Sequence, residues 1–492
     1  MMTRYRRFVI HLFLLWGALL SACQGSLPAP KETETAAPQP ADTRAPRSTR
    51  TPVTATATPA PTATPTHPPY LDVDPAGLRG VEVTFWHPWQ GEVAARAGEI
   101  AAAFNRENEW GIVAQARPLY DPASLRDALE AYPAPMTEPD GPLLVAALPE
   151  QLAEWQRQGR LVDLNDYLAA RSWGLSPAQI SDFTPLFWEQ DLGARGQRAG
   201  LPALRTARVL FYNQTWASEL GFDQPPATPA EFQAQACAAA VANNELANAD
   251  FNQQDKRGTG GWLASTDALT VLSWFFAFGA QPIPSQEGGP YHFESEEAER
   301  ALEFLRGLFE QGCAWEGRNP TPHDYFANRM ALFYAGSLQD LAFQARAQER
   351  ANSGDRWTIL PFPAQAGGPF ALTSGYSYGI PASTPEQQLA AWLFLRYLLQ
   401  PRNQALLAEV WPSLPLSAAG AAELADYQEH FPWFMILPLR EALRAAPALP
   451  SWRVVRGVVE DAAWQVYHLP ADQLPLVLPQ MDDLAAELMN RR

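Results

Sequence analysis

Strand and helix patterns alternate along the chain from residue 81 to residue 158. Short alternating or continuous apolar runs predict three strands, over 81–85, 111–116 and 142–147. Apolar residues at helical spacing predict three helices, over 92–105, 122–131 and 152–158. A chain in which strands and helices take turns in this way is expected to be an α/β protein, with a mainly parallel sheet covered by helices. Ligands of such sheets bind beyond the carboxyl ends of the strands.

The first 23 residues have the pattern of a secreted lipoprotein. Three arginines precede a largely apolar stretch over 8–20 that is short for a membrane span. The stretch ends in Leu20-Ser21-Ala22-Cys23, which resembles the lipobox of bacterial lipoproteins. That resemblance implies that residues 1–22 are removed as a signal peptide and that acyl chains on Cys23 anchor the protein to the membrane. An ordinary signal peptide and an uncleaved anchor are the alternatives.

A segment rich in proline and threonine follows this leader. Residues 24–70 hold eleven Pro and eleven Thr and almost no large apolar side chain. Such a segment has little to bury, so ordering it brings no compensating gain. Proline also favours the extended polyproline II conformation. We therefore predict a disordered tether over 23–77 and a globular unit over 78–492, which is long enough for two lobes.

The charge of the chain bears on its partners. The full chain carries a net charge of −17, while residues 1–70 hold seven basic and three acidic residues, a net +4. Subtracting +4 from −17 leaves −21 for the rest of the chain. So acidic a surface repels phosphate backbones, and we expect no nucleic-acid partner.

Two cysteines remain beyond Cys23. Cys237 falls in an alanine-rich helical stretch, and Cys313 follows Gly312 at a predicted helix end. We expect two separate buried residues here. A disulfide between them is the open alternative, because the predicted location is oxidising.

Six segments resemble, in order, the sequence of the family 1 extracellular solute-binding proteins of ABC importers, the maltodextrin- and glycerol-3-phosphate-binding class. They are 83–89, 104–113, 159–164, 200–213, 225–232 and 330–337. The resemblance covers the chain from about residue 80 to its end. The chain departs from the family pattern at three places. Pro229 stands where a tryptophan is usual, residues 326–329 lack the usual glycine, and Tyr376 replaces one glycine of a usual pair.

This resemblance implies two α/β lobes joined by hinge crossings, as in type II periplasmic-binding proteins. The N-lobe is expected over 78–203 and 360–412, and the C-lobe over 210–355 and 417–492. The crossings are expected near 204–210, 356–361 and 412–416. A small solute would bind between the lobes, close them by hinge motion and pass to the importer's permease subunits. The protein would act as a monomer on the outer face of the bacterial membrane, extracellular or periplasmic.

The resemblance also supplies candidate ligand contacts on loops after strands, at helix starts and in the first crossing. They are His87, Trp89, Gln90, Glu150, Gln151, Arg205, Thr206, Gly336, Ser337, Gly375, Tyr376, Ser377, Trp452 and Arg456. Trp452 and Arg456 are spaced i, i+4 and so share one helix face. Trp262 follows a glycine-rich run and is a further candidate, with core packing as its alternative. Three other tryptophans are expected in the core: Trp274, Trp392 and Trp464.

The residue types favour one ligand class without excluding another. Sugar rings present apolar faces edged by hydroxyls, so a sugar site needs aromatic plates and planar polar side chains. A phosphate ligand instead needs arginine, lysine or helix N-termini. The chain has 17 Trp, and we favour a sugar or oligosaccharide. Glycerol-3-phosphate or another polyol phosphate is the alternative.

We expect no enzymatic activity, no cofactor and no metal. The sequence holds no HExxH motif and no cluster of His and Cys at metal-ligand spacing. A secreted glycoside hydrolase would need two carboxylates about 5 to 9 Å apart, and no motif singles out such a pair. That enzyme and a sensory binding module are the alternatives of another class.

Overall fold

The computed structural model describes residues 71–136, 141–193, 195–318, 321–425 and 430–491. The predicted signal peptide, Cys23 and the tether up to residue 70 lie outside these residues. The strands are β1 Glu82–His87, β2 Val113–Pro118, β3 Leu144–Ala147, β4 Leu201–Asn213, β5 Gly260–Leu263, β6 Ala314–Trp315, β7 Ala331–Ser337, β8 Trp357–Leu360, β9 Ala371–Gly379 and β10 Leu443–Ala445.

Helices cover this sheet. They are α1 Gly91–Glu107, α2 Pro122–Glu130, α3 Pro149–Arg157, α4 Leu164–Ala169, α5 Pro177–Asp182, α6 Pro185–Glu189, α7 Gln214–Glu219, α8 Pro229–Ala249, α9 Ala268–Ala277, α10 Glu296–Glu310, α11 His323–Ala327, α12 Asp340–Arg350, α13 Pro385–Leu398, α14 Pro401–Val410, α15 Ala418–Glu423, α16 Trp433–Ile436, α17 Trp452–His468 and α18 Val477–Asn490. All six elements predicted between residues 81 and 158 are present, with shifted ends.

The strands form one mixed sheet in the order β2-β1-β3-β9-β4-β7-β5-β6, with β10 beside β9 and β8 beside β4. As predicted, β1 pairs in parallel with both β2 and β3. The long strand β4 pairs with β9 over its first part and with β7 over its second part, antiparallel in both cases. We call the part with β1, β2, β3 and β9 the first lobe, and the part with β5, β6 and β7 the second lobe. Strand β4 therefore carries the chain from the first lobe to the second.

The globular unit begins earlier than predicted, so the expectation of disorder up to residue 77 was wrong for residues 71–77. Leu71 and Leu78 are buried in the core of the first lobe. A short 3-10 helix, Pro75–Leu78, joins them, and the Asp74 side chain caps it. Two leucines with a capped turn between them have apolar surface to bury, which the tether before them lacks.

A disulfide joins Cys237 and Cys313, so the expectation of two separate residues was wrong. The two Cα atoms lie 4.4 Å apart, within bonding range. Gly261 allows this approach. A Cβ atom at Gly261 would lie 2.0 Å from the carbonyl oxygen of Cys313 and 2.5 Å from that of Ala236. A side chain here would therefore push α8 and the segment before β6 apart.

The tryptophans expected in the core show one exception. Trp274 and Trp392 are fully buried, as predicted. Trp464 was expected there too, but it is 53% exposed and stacks on His468 at a ring-centroid distance of 4.4 Å. Within the described ranges, we find no helix with the length and hydropathy needed to cross a membrane.

Candidate functional site

A cavity of about 200 Å³ lies between the two lobes. Its walls are Leu148, Pro149, Glu150, Gln190, Ser374 and Gly375 on the first-lobe side, Asp267, Ala268, Leu269, Trp452, Arg456 and Glu460 on the second-lobe side, and Arg208, Ala446 and Pro447 between them. Sites for drug-sized ligands usually measure about 300–1,000 Å³. The lobes as placed here therefore leave room for a small solute.

Three helices begin at this cavity. Pro149 starts α3, Ala268 starts α9 and Trp452 starts α17, and all three residues line it. The first turn of a helix carries backbone N–H groups without intrahelical partners and a partial positive charge. Asp267 satisfies one of these groups, because its carboxylate accepts a hydrogen bond from the Thr270 amide at 3.0 Å.

Glu150 is a buried carboxyl group in the cavity wall. Its side chain sits in the first turn of α3, and the residue is 7% exposed. Burial raises the pKa of Glu150 to about 7, against the opposing effects of its own backbone amide, Arg456 and Arg453. Near neutral pH this group exists in both protonation states, so it can accept a hydrogen bond from a ligand hydroxyl or donate one to it.

Two ion pairs contribute the other charges. Arg208 contacts Asp267 at 2.9 Å, and Arg456 contacts Glu460 on the same helix at 3.7 Å. Both pairs are partly exposed and therefore contribute little to stability. With Glu150 protonated the cavity is neutral, and with Glu150 ionised it carries one excess negative charge.

Four of the predicted ligand contacts line this cavity: Glu150, Gly375, Trp452 and Arg456. Trp452 and Arg456 share it because they are one helical turn apart on α17. Most of the Trp452 ring packs in the core of the second lobe, and the residue is 4% exposed. Whether these four residues touch a ligand stays a prediction.

The first-loop candidates lie elsewhere. His87 and Trp89 are buried and stack on each other at a ring-centroid distance of 4.9 Å. Burial lowers the pKa of His87 to about 4, so its ring is neutral at physiological pH. Neither ring nitrogen of His87 has a hydrogen-bond partner among the residues that the structure describes. Gln90 is exposed, and its amide donates to the carbonyl of Tyr120.

Gln151 holds the start of α3. Its side-chain oxygen accepts a hydrogen bond from the Leu148 amide at 3.2 Å, and its amide donates to the Pro122 carbonyl at 3.0 Å. These bonds cap α3 and tie it to α2. Gln151 therefore fixes the backbone that carries Glu150, and it is absent from the cavity wall.

Three candidates lie where the linking strand β4 meets the end of β7. The Thr206 hydroxyl donates to the Gln339 side chain at 2.8 Å and accepts from the Leu338 amide. The Ser337 amide and hydroxyl both donate to Asp340, at 2.7 and 3.0 Å. Gly336 leaves space for the ring of Phe211, which a Cβ atom would approach to 2.8 Å. The cavity wall includes none of Thr206, Gly336 and Ser337.

Arg205 and Ser377 lie behind the wall and are both fully buried. Arg205 donates to the Ser377 hydroxyl at 2.7 Å and contacts Asp191 at 3.3 Å, while Ser377 donates to Asp191 at 2.7 Å. Burial raises the pKa of Asp191 from its ordinary value, although Arg205 opposes this shift. The polar groups of Arg205 and Ser377 thus contact protein, neither residue lines the cavity, and their ligand contacts stay predictions.

Ser377 also stands in a Gly-x-Ser-x-Gly run, Gly375–Gly379, which is the spacing of a hydrolase nucleophile. Such a nucleophile needs a sharp turn between a strand and a helix and a histidine as its base. Here strand β9 runs through the whole motif, and the Ser377 hydroxyl is hydrogen-bonded to Arg205 and Asp191. The motif therefore does not form a nucleophile elbow.

The two remaining candidates are Tyr376, which lies near Glu150, and Trp262, which lies in the core. Tyr376 packs edge-on against Trp89 at 6.3 Å, and burial, with Glu150 nearby, raises its pKa to about 12. Trp262 is fully buried and packs edge-on against Phe232 and Trp274. Trp262 is therefore a core residue, because its glycine-rich loop leads into the buried strand β5 and not to the edge of the cavity.

Sequence reasoning missed several wall residues. Arg208 shares a face of β4 with Thr206, and assigning the whole strand would have found it. Asp267 precedes the apolar run of α9 and has the signature of a helix N-cap. Gln190 and Ser374 carry no sequence signal that we can identify.

Comparison with known proteins agrees with this architecture. Residues 99–432 match the profile of the family described as bacterial extracellular solute-binding protein. A lipoprotein encoded in the 5′ region of oleD in Streptomyces antibioticus is 30% identical over 145 residues, which are 28% of this chain and 31% of that protein. The match thus spans less than one third of that relative.

Two solved structures superpose on most of the chain. The sugar-binding protein MalE of Xanthomonas citri gives a TM-score of 0.68 at 22% identity, over 84% of this chain and 98% of its own. UgpB of Mycobacterium tuberculosis, solved with glycerophosphocholine, gives a TM-score of 0.64 at 16% identity, over 83% of this chain and 98% of its own. Identities this low establish a shared fold and not a shared ligand. The predicted two-lobed α/β fold is confirmed.

Proposed function

Because the chain belongs to the bacterial extracellular solute-binding proteins, we propose that it captures a small solute between its lobes and delivers it to an ABC importer. The solute class is a sugar or oligosaccharide. Acyl chains on Cys23 hold the protein at the outer face of the bacterial membrane, next to the permease subunits. Residues 24–70 give the two lobes reach from that anchor.

The observation that carries this proposal is a cavity with walls from both lobes. A solute in it contacts the two lobes at once, so its binding energy favours the closed arrangement. Trp452 offers apolar surface to the C–H face of a sugar ring. Glu150, Gln190 and Arg456 offer acceptors and donors to its hydroxyl groups.

A polyol phosphate is the second candidate. Arg208, Arg456 and three helix starts are features that favour an anion. However, each arginine already faces a carboxylate, and Glu150 lies in the same cavity. An added phosphate would meet three acidic side chains there, and this argues for a neutral ligand.

We further propose binding without turnover. A glycoside hydrolase needs one carboxyl group as acid and a second as nucleophile or base. Asp267 is engaged by Arg208 and by the first turn of α9, and Glu460 faces Arg456, so both are poorly placed to serve as the second group. This leaves the cavity suited to holding a sugar and not to cleaving it.

The test is a thermal-shift screen of the chain from Gln24 onward. The panel contains mono-, di- and oligosaccharides, glycerol-3-phosphate, glycerophosphocholine and amino acids, and chromatography follows each sugar for products. A ligand at 100 times its Kd stabilises the protein by about 2.7 kcal/mol. A shift with an intact sugar supports the proposal. A thermal shift with phosphate esters alone would establish the second candidate. No thermal shift with any compound of the panel would contradict both candidate ligand classes.

Delivery needs a separate experiment in the producing cell. Deleting the gene is expected to abolish uptake of the sugar that gives the shift. Replacing Cys23→Ser is expected to release the protein from the membrane fraction. Normal uptake combined with a lost behavioural response to that sugar would instead identify a sensory module.

A further inference from the structure

Arg205 is a fully buried cation on the strand that links the lobes. Its guanidinium group donates to the Ser377 hydroxyl at 2.7 Å and to the carbonyl of Tyr376, and it pairs with Asp191 at 3.3 Å. The Ser377 hydroxyl donates in turn to Asp191 at 2.7 Å. One side chain therefore connects β4, β9 and the loop after α6.

The backbone around Arg205 is also tightly arranged. The pairing of β4 with β9 shifts register between Pro202 and Leu204, which is a bulge, and Arg205 then stands opposite Gly375. A Cβ atom at Gly375 would lie 2.1 Å from the carbonyl oxygen of Leu204. The carbonyl of Arg205 accepts a hydrogen bond from the Leu414 amide at 2.7 Å, so the last crossing is joined here as well. Bulges of this kind commonly aim side chains next to binding sites.

Stability is a weak explanation for this ion pair. Arg205 Nε and Asp191 Oδ1 are buried without a hydrogen-bond partner in the described part of the chain. Each such atom loses its hydration without compensation. Apolar residues in place of a buried pair are often neutral or stabilising. The contacts do, however, define the position of one segment, residues 374–377 of β9.

That segment is part of the cavity wall. Ser374 and Gly375 line the cavity directly, and Tyr376 lies near Glu150. Arg205 donates hydrogen bonds to the two residues that follow Gly375 and is itself absent from the cavity wall. A site holds a ligand well only when the residues behind its wall fix the wall in place.

We propose that Arg205 is a positioning residue, which acts with Asp191 and Ser377 to hold residues 374–377 of β9 as one wall of the cavity and does not itself touch the ligand. The inference has two parts. The effect of Arg205 on ligand affinity rests on the proposed function, whereas the anchoring of β9 by Arg205 does not depend on any ligand.

The test uses the double variant Arg205→Met with Asp191→Leu, which removes both charges of the pair together. Buried Arg198 also interacts with Asp191 but keeps Asp163 and Glu189 as charge partners, so the variant is expected to fold. Hydrogen–deuterium exchange is measured on ligand-free protein over β9 and, for reference, over β1. Exchange over β9 is expected to rise about tenfold while β1 is unchanged, because the anchor of one local segment is lost. Maltose is the binding probe, and its Kd is expected to rise about tenfold.

Two further variants keep the test sharp. Ser377→Ala retains both charges and removes only the bridging hydroxyl, so a smaller rise in exchange over β9 is expected even if the double variant fails to fold. Arg329→Met removes ion pairs to Glu219 and Asp355 in the second lobe. It is expected to lower stability without changing exchange over β9 or the affinity for maltose.

The outcomes separate the two proposals. Unchanged exchange over β9 in both Ser377→Ala and the folded double variant would overturn the positioning role. Faster exchange with an unchanged maltose Kd would also overturn it, since the segment would then not shape the site. If the wild-type protein binds no sugar but exchange over β9 still rises, the anchoring is supported and the proposed sugar function fails.

Discussion

Glu150 and Arg456 belong to different lobes and line the same cavity. Glu150 is in the first turn of α3, and Arg456 is in the second turn of α17. The guanidinium is close enough to oppose the rise in the pKa of the carboxyl. Any rotation of one lobe relative to the other therefore changes the electrostatic environment of Glu150. Solute capture and the ionisation of this group are expected to be linked.

Removing the cavity tryptophan is expected to weaken sugar binding. Trp452→Ala should cost about 1 kcal/mol or more, a rise of about fivefold in Kd, because the aromatic surface against the sugar is lost. Titration calorimetry measures the change. The matched control is Trp464→Ala on the same helix, where the indole is exposed and outside the cavity, and it should leave the Kd unchanged. Equal affinities of wild type and Trp452→Ala would show that α17 does not form the sugar site.

Glu150 should make stability fall with rising pH. Its pKa is about 7 in the folded protein and ordinarily 4.5, so its contribution is full below pH 4.5 and is lost as the pH rises through 7. Glu150→Gln cannot ionise. Relative to wild type, its unfolding free energy should increase by about 3 kcal/mol between pH 4.5 and 7.5. Urea unfolding at each pH gives the difference in unfolding free energy between the two proteins. A difference that does not change with pH would contradict the raised pKa of a buried Glu150.

His87 should have the opposite effect from Glu150 and make stability fall as the pH falls. Its pKa is about 4 when folded and ordinarily 6.5, so its contribution is full above pH 6.5 and is lost as the pH falls through 4. His87→Phe keeps an aromatic ring beside Trp89 and has no proton to bind. Relative to wild type, its unfolding free energy should increase by about 3 kcal/mol as the pH falls from 6.5 to 4. A difference that does not vary with pH would show that His87 is hydrated in the native protein.

The disulfide should account for a measurable part of the stability. Cys237 and Cys313 are 76 residues apart in sequence, and closing a loop of that length is worth about 4.5 kcal/mol by chain entropy. Replacing both cysteines with alanine, or adding a reductant, should lower the urea midpoint accordingly. The doubly substituted protein should no longer respond to reductant. An unchanged midpoint in wild type on reduction would contradict the bond.

Local elements could be predicted from the sequence, while their long-range pairing could not. The elements from β1 to α3 were predicted because strand and helix periodicities are properties of neighbouring residues. The place of β9 between β3 and β4 depends on residues 371–379, which are far away in the chain. The disulfide was missed for a related reason, since it follows from the close packing that Gly261 allows between α8 and β5.

The candidate site shows the same division. Trp452 and Arg456 reach one cavity because helical spacing fixes a shared face, which can be read from sequence. Successive side chains of β4 point to opposite faces of the sheet. A predicted position that is wrong by one residue therefore places a side chain in the interior instead of at the cavity. Arg205 was expected at the ligand and points into the protein, whereas Arg208 lines the cavity. The family resemblance located the right strand, and only the three-dimensional register decides which side chain faces the cavity.

The most direct test of the account is calorimetric titration of the chain from Gln24 onward with the sugar that gives the largest thermal shift. The same sample is then analysed for products. We predict saturable binding of one sugar per chain, recovered unchanged, with affinity reduced in Trp452→Ala. Conversion of the sugar to products would instead identify a hydrolase. Absence of binding by every sugar in the panel would contradict the proposed solute class.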